Sequence, residues 1–199
     1  MGLETLSIEH VPASHRVHIA YFTDVSNAGF LQSQLLARNP DFEYAFIDAT
    51  STVSRVHVLA AVYKALTLLL AGNLKTPNVH SEIVCALSNT TNISESFRRW
   101  GITPATRDII VVKVVCPKDG DPSTTADEPG NIWAHLVRNV QGMPAALTDE
   151  EIAKSTDWPK VRRYYKLNAV PGVEACKTDE EKAEEMKVLV LAGMALRGV

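Results

Sequence analysis

The spacing of apolar positions divides the chain into strands and helices. Residues 17–22 (VHIAYF) are β-branched and aromatic, which predicts a strand. Residues 27–38 follow with Phe30, Leu31, Leu35 and Leu36 at helical spacing, and Asn39-Pro40 stops that helix. Residues 44–47 read as a second strand. Ser54 caps a long helix over 55–71, closed by Gly72-Asn73. Residues 77–87 form a shorter helix with Pro77 in its first turn. Asn92 caps a helix over 93–100, with Glu95 in a variant of the capping box and Gly101 as its end. Residues 108–115 (DIIVVKVV) are almost continuously apolar, the pattern of a strand buried on both faces.

The second half is mostly helical by the same reading. Residues 116–130 are rich in Pro, Gly, Asp, Ser and Thr and read as a mobile loop. Residues 131–140 read as a helix. Thr148 to Glu151 is a capping box before a short one, and residues 158–167 form another with Pro159 at its start. A second box, Thr178 to Glu181, opens a last helix over 179–196. About sixty residues of helix between the second and third strands imply a helical layer packed on a sheet. The expected fold is α/β (α+β): a small central β-sheet, a layer of helices packed on it and a C-terminal helix, in a single domain over residues 1–199.

The last helix changes character half-way. Its first half is charged, with acidic residues in the first turn where they suit the helix dipole. Residues 188–196 (VLVLAGMAL) contain no polar side chain. A helix apolar all round must be covered on all sides. It is therefore either a central core helix or one whose second face meets a partner.

Composition adds constraints on class. The chain has 199 residues, 46% hydrophobic and 22% charged, with a formal net charge of −3. This excludes a histone-like basic protein and an acidic disordered one. Three widely spaced cysteines, Cys85, Cys116 and Cys176, form no zinc or dithiol motif. The acidic N-terminus lacks the apolar core of a secretory signal, and the lipophilic stretch over 56–71 is interrupted by His57 and Lys64. A soluble intracellular protein with no membrane association is expected. The charge is unevenly distributed. Residues 54–107 carry Arg55, Lys64, Lys75, Arg98, Arg99 and Arg107 against Glu82 and Glu95, a net +4, which leaves −7 for the rest. Cations beside exposed helix-start amides make an anion-binding surface conceivable; ordinary solubility and helix-dipole complementation explain them equally well.

Catalytic patterns are missing. There is no phosphate loop, dinucleotide fingerprint, zincin motif or nucleophile elbow. His15 and His18 fall on opposite faces of a strand edge and so do not share a metal. Asp119-Gly120-Asp121 begins like a calcium loop but lacks its closing glutamate. Cys85 sits among apolar neighbours and reads as a buried, inert thiol. His80 and Glu82 are two apart on a helix and do not face each other, which argues against an acid–base pair. No catalytic residue, cofactor or metal is assigned.

The run from Leu74-Lys75-Thr76-Pro77-Asn78 through His80-Ser81-Glu82-Ile83 to Leu87-Ser88, and then Asn92-Ile93 through Phe97-Arg98-Arg99-Trp100-Gly101-Ile102, closely resembles the PRPK-binding protein family. The preceding helix from Val58 to Leu66, with Lys64 matching, the turn from Asp24 to Gly29 and the segment Val161-Arg162-Arg163-Tyr164-Tyr165-Lys166-Leu167 fit the same pattern. The resemblance implies the small non-catalytic subunit of the KEOPS (EKC) complex, which helps make the threonylcarbamoyl modification of adenosine in tRNAs that read ANN codons. It implies docking on a PRPK-like atypical kinase/ATPase, contact with other KEOPS subunits through it, recruitment of tRNA by its 3′ CCA end, and residence in nucleus and cytoplasm.

On this resemblance the tRNA contact falls on Lys75 and Thr76, with Lys64, Arg98 and Arg99 in support. The kinase contact is expected on one stripe of the last helix: Met186, Leu189, Val190, Gly193, Met194 and Arg197. The opposite stripe, Val188, Leu191, Ala192 and Ala195, is then expected to face the fold's own core; the reverse arrangement fits the same pattern. The competing reading is a protein-only scaffold of the kinase that never touches RNA.

Overall fold

The computed structural model describes residues 2–116 and 128–197. The elements in order are β1 (Leu3–Leu6), β2 (Arg16–Thr23), α1 (Ala28–Leu36), β3 (Ala45–Asp48), α2 (Arg55–Leu70), α3 (Val79–Ala86), α4 (Ile93–Trp100), β4 (Ile109–Val115), α5 (Pro129–Asn139), β5 (Met143–Ala145), α6 (Asp149–Ser155), α7 (Trp158–Tyr165), α8 (Pro171–Ala175) and α9 (Asp179–Ala195). The sheet is antiparallel with strand order β1-β2-β4-β3, and β5 pairs the end of β2 beyond β1. The fold is α+β, as the residue pattern predicts.

The two central strands are covered on both faces, which is why their sequences are apolar without alternation. Val17, Ile19, Tyr21, Ile110, Val112 and Val114 point into one core, closed by α2, α3, α7 and α9. Ala20, Phe22, Phe46, Ile109 and Val111 point into a second core, closed by α1 and α5. Helices thus lie on both sides of the sheet, not in a single layer. Strands β1 and β5, which share the edge beside β2, have no strong sequence signal. They are four and three residues long, and β5 contains Pro144, a residue tolerated only at an edge.

The helix ends follow the expected capping chemistry. Ser54, Asn78, Asn92 and Thr178 each accept a backbone N–H three residues on. The box at Thr178 and Glu181 is reciprocal. At Asn92 it is not, because Glu95 turns instead to Arg98 and Arg99. Pro77 lies just outside α3, and Asn78 is the cap. Helix α5 begins at Pro129. The rest of the expected loop, residues 117–127 with Asp119 and Asp121, lies outside the described residues.

A buried polar chain locks three helices on the first core. His57 of α2 accepts from the Val53 N–H at 3.4 Å through Nδ1, so its Nε2–H donates to Tyr165 Oη at 2.9 Å. Tyr165 in turn donates to the carbonyl oxygen of Leu87. Burial pushes the His57 pKa down to about 4, which keeps it neutral.

Candidate functional site

The loop between α2 and α3 is built in two steps. Helix α2 ends with Gly72 at φ 66°, a left-handed conformation that suits glycine. The Asn73 N–H bonds to Leu68 O at 2.8 Å and the Gly72 N–H to Leu69 O at 3.0 Å, a Schellman closure. The chain then reaches Glu82, a carboxylate 1% exposed on α3. The Lys75 and Thr76 N–H groups donate to Glu82 Oε2 at 3.0 and 2.9 Å, and the Thr76 hydroxyl lies 2.8 Å from the same oxygen. A buried carboxylate without a cation must be held by such donors. Glu82 therefore fixes the backbone, Thr76 is buried as part of the clamp, and the Lys75 side chain is exposed.

The other cations of the +4 segment are engaged. Arg55 makes paired bonds to Glu4 at 2.5 and 2.6 Å, tying α2 to β1. Lys64 directs its ammonium at Met194 O (3.0 Å) and Arg197 O (3.2 Å), the exposed carbonyls at the end of α9. Its pKa is lowered, by burial first and then by the charges of Arg197 and Lys75. Arg98 and Arg99 both pair with Glu95, whose pKa they hold down. Arg99 also lies over the Tyr164 ring at 5.0 Å and donates to Tyr164 O at 3.2 Å, joining α4 to α7. Arg107 faces Asp24 at 4.0 Å. Among the described residues no hydrogen bond or ion pair engages the Lys75 side chain. The structure thus gives Lys64, Arg99 and Thr76 internal tasks and leaves the Lys75 side chain exposed.

On α9 the structure reverses the expected stripes. Met186, Val190 and Met194 are buried, Val190 completely, whereas Val188 is 61% and Leu196 68% exposed. Leu189 packs partly against the same core. Gly193 is not a point of close approach: a Cβ there would sit 3.8 Å from Asn89 and Tyr165, in the chain's own fold. Arg197 donates to Cys85 O on α3. The face away from the core carries Val188, Ala192, Ala195 and Leu196, with Leu191 half-buried. A second exposed apolar row runs along α2 at Val56, Tyr63 and Leu70.

The remaining candidates resolve as structural groups. Cys85 is buried, and its pKa is pushed up to about 11, which suits an inert thiol. His80 accepts the Val114 N–H while Glu82 serves the loop, so the two act separately. His18 meets the Thr5 hydroxyl across β1, and His15 meets Ser14. Among the described residues no group of three potential ligands could hold a metal, and no helix is long and apolar enough to cross a membrane.

Comparison with known proteins bears directly on this arrangement. The family model described as kinase binding protein CGI-121 matches residues 22–198. The chain belongs to the CGI-121 family. A Neurospora crassa protein named EKC/KEOPS complex subunit cgi121 is 57% identical over 207 residues, covering all of both chains. A Gibberella zeae protein of the same name is 52% identical over 200 residues with the same coverage. The Schizosaccharomyces pombe protein of that name is 31% identical over 183 residues, covering 92% of this chain and 94% of its own. In CGI-121 family terms, the signal missed in sequence was Glu82, whose role as loop anchor depends on a fold contact. The phase of α9 was available from Ala183 and Met186, the apolar positions within its charged half, which continue to Val190 and Met194.

Proposed function

We propose that this chain is a non-catalytic EKC/KEOPS subunit that docks on a PRPK-like atypical kinase/ATPase and recruits tRNA by its 3′ CCA end for threonylcarbamoyladenosine modification. The names of the relatives support the complex, and the family description supports kinase binding. For RNA, the observation that carries the reading is Lys75: an exposed cation with no internal partner, on a backbone fixed by Glu82. A single-stranded end offers phosphates and 2′-hydroxyls to such a group. Arg98 is the second RNA candidate, because its ion pair is at the surface and exchanges at little cost. The kinase is assigned to the exposed face of α9, Val188, Ala192, Ala195 and Leu196, in place of the buried stripe. The proposed compartments are nucleus and cytoplasm.

The scaffold reading has one observation in its favour: most cations of the basic segment are already engaged within the fold. A gel shift of folded Lys75→Glu with intact tRNA and with tRNA truncated at its 3′ end separates the two. Recruitment requires weaker binding in both comparisons. Unchanged affinity leaves the scaffold.

A further inference from the structure

The densest run of positive charge lies on and just after α7. Residues 158–167 carry Lys160, Arg162, Arg163 and Lys166 and no acidic residue, in a chain of net charge −3. Two of these cations serve the fold. Lys160 donates to Asp48 at 2.7 Å and to the Thr50 hydroxyl at 2.6 Å, and Arg162 pairs with Glu174 at 3.0 Å. Arg163 and Lys166 do not. Both are exposed, and among the described residues no hydrogen bond or ion pair engages either side chain.

The end of the helix does not need them. Basic residues in a last turn ordinarily complement its free carbonyls. Here Arg99 of α4 already donates to Tyr164 O, and the Lys166 and Leu167 N–H groups both close on Arg162 O. Arg163 turns instead to the Tyr164 ring, 5.4 Å from its centroid, with Arg99 at 5.0 Å. Lys166 has a second peculiarity. It stands at φ 58°, the left-handed conformation in which helix ends prefer glycine. A lysine there strains the backbone, and its side chain forms no bond within the fold to offset that strain. Strain kept without an internal reason marks a position held for contact with something else.

The chemistry of the surface selects the partner. A guanidinium lying against an aromatic ring keeps its donor fork in place for a phosphate. Helix α7 leaves no large apolar side chain exposed, whereas a protein interface is built around an apolar centre. Arg98, which shares the Glu95 carboxylate with Arg99, extends the row of cations onto α4. This surface is distinct from the Lys75 loop. That loop leads into the start of α3, while Tyr165 of α7 is bonded to Leu87 O at the other end of α3. The eight residues of α3 separate the two ends by roughly 12 Å. One phosphate cannot touch both.

We propose that the end of α7, centred on Arg163 and Lys166, is a second RNA contact that holds backbone phosphates of the tRNA body, independent of base sequence and of the 3′ end. This contact rests on the tRNA-binding reading above and lies outside the site given there to the 3′ end.

The test is the double variant Arg163→Ala/Lys166→Gly in the full chain. Glycine relaxes the left-handed position, so the melting temperature should stay at or near that of the native chain. Intact tRNA and tRNA truncated at its 3′ end are titrated across a salt series by fluorescence anisotropy. Affinity for both RNAs should fall about tenfold, by the same factor, and the slope of log affinity against log salt should drop by about 1.5, the value of two phosphate contacts. Lys154→Ala, which removes an exposed cation paired with Glu151 on α6, should change neither. Lys75→Glu should narrow the gap between intact and truncated tRNA, whereas the α7 variant should preserve it, so either contact can fail without the other. Undetectable binding of truncated tRNA by the native chain, or unchanged affinity in the variant, overturns the proposal. So does a loss confined to intact tRNA, which would give this surface to the 3′ end. A polyglutamate peptide that binds as tightly as truncated tRNA at the same salt, and loses that binding in the variant, would also overturn it, because the partner would then be an acidic protein.

Discussion

The two regions proposed to meet partners, the loop at Lys75 and the helix α9, are built on a common plan from opposite materials. In the loop the outward group is a cation and the inward anchor is the buried carboxylate of Glu82. In α9 the outward group is an apolar row headed by Val188, and the inward anchor is the buried row of Val190 and its neighbours. In each case the residue that would touch the partner contributes little to the fold, and the residue that positions it is a few places away and hidden. Contact and support can therefore be broken separately.

The largest effect is expected in α9. Val190→Asp places an unpaired charge in the core and should lower stability by more than about 3 kcal/mol, seen as loss of the folded circular-dichroism signal. Val188→Asp should leave the melting temperature near that of the native chain and abolish co-purification with the kinase. If the two variants behave alike, the distinction between rows fails.

The loop offers the next test. Glu82→Ala leaves two backbone N–H groups without their acceptor and should cost about 2–3 kcal/mol in denaturant unfolding. It should also weaken tRNA binding although Lys75 is intact. Retained binding in a destabilised protein would show that the loop needs no anchor.

Acid probes the buried supports without substitution. His57 and His80 have folded pKa values of about 4 and about 3, below the ordinary 6.5. The unfolded chain therefore takes up protons first as pH falls. Their contribution is complete above pH 6.5 and is lost below it, by about 1 kcal/mol per imidazole at pH 5.5. Urea midpoints across this range should fall with acid, and His57→Gln should flatten the dependence.

The smallest effect belongs to Lys75. Lys75→Ala should change stability by less than about 0.5 kcal/mol. It should reduce the slope of log affinity against log salt for tRNA by about 0.7, the value of one phosphate contact on a single strand. An unchanged slope would remove Lys75 from the phosphate contacts.

Much of this was legible in the sequence, and the failures have physical causes. The three long-signal strands and the capped helices were readable because caps and periodicity are local. Strands β1 and β5 were not, because they are short and only part-buried, whereas β3, as short and also at an edge, is buried at all four positions and so reads as apolar. Lys75 was proposed on its motif, and its side chain is exposed. Lys64 and Arg99 looked equivalent to it, because a side chain's partner across the fold, here the end of α9 or the Tyr164 carbonyl, leaves no trace in local composition. The faces of α9 were assigned the wrong way round because its second half is apolar in every direction; only the polar half fixes the phase.

The last turn of α9 is fastened at two points, Lys64 on α2 and Cys85 on α3. Those are the two helices that the Lys75 loop joins. The turn thus ties the middle of α2 to the end of α3 away from that loop, so the proposed kinase-binding helix and the helix pair that carries Lys75 are joined by three hydrogen bonds to backbone carbonyls.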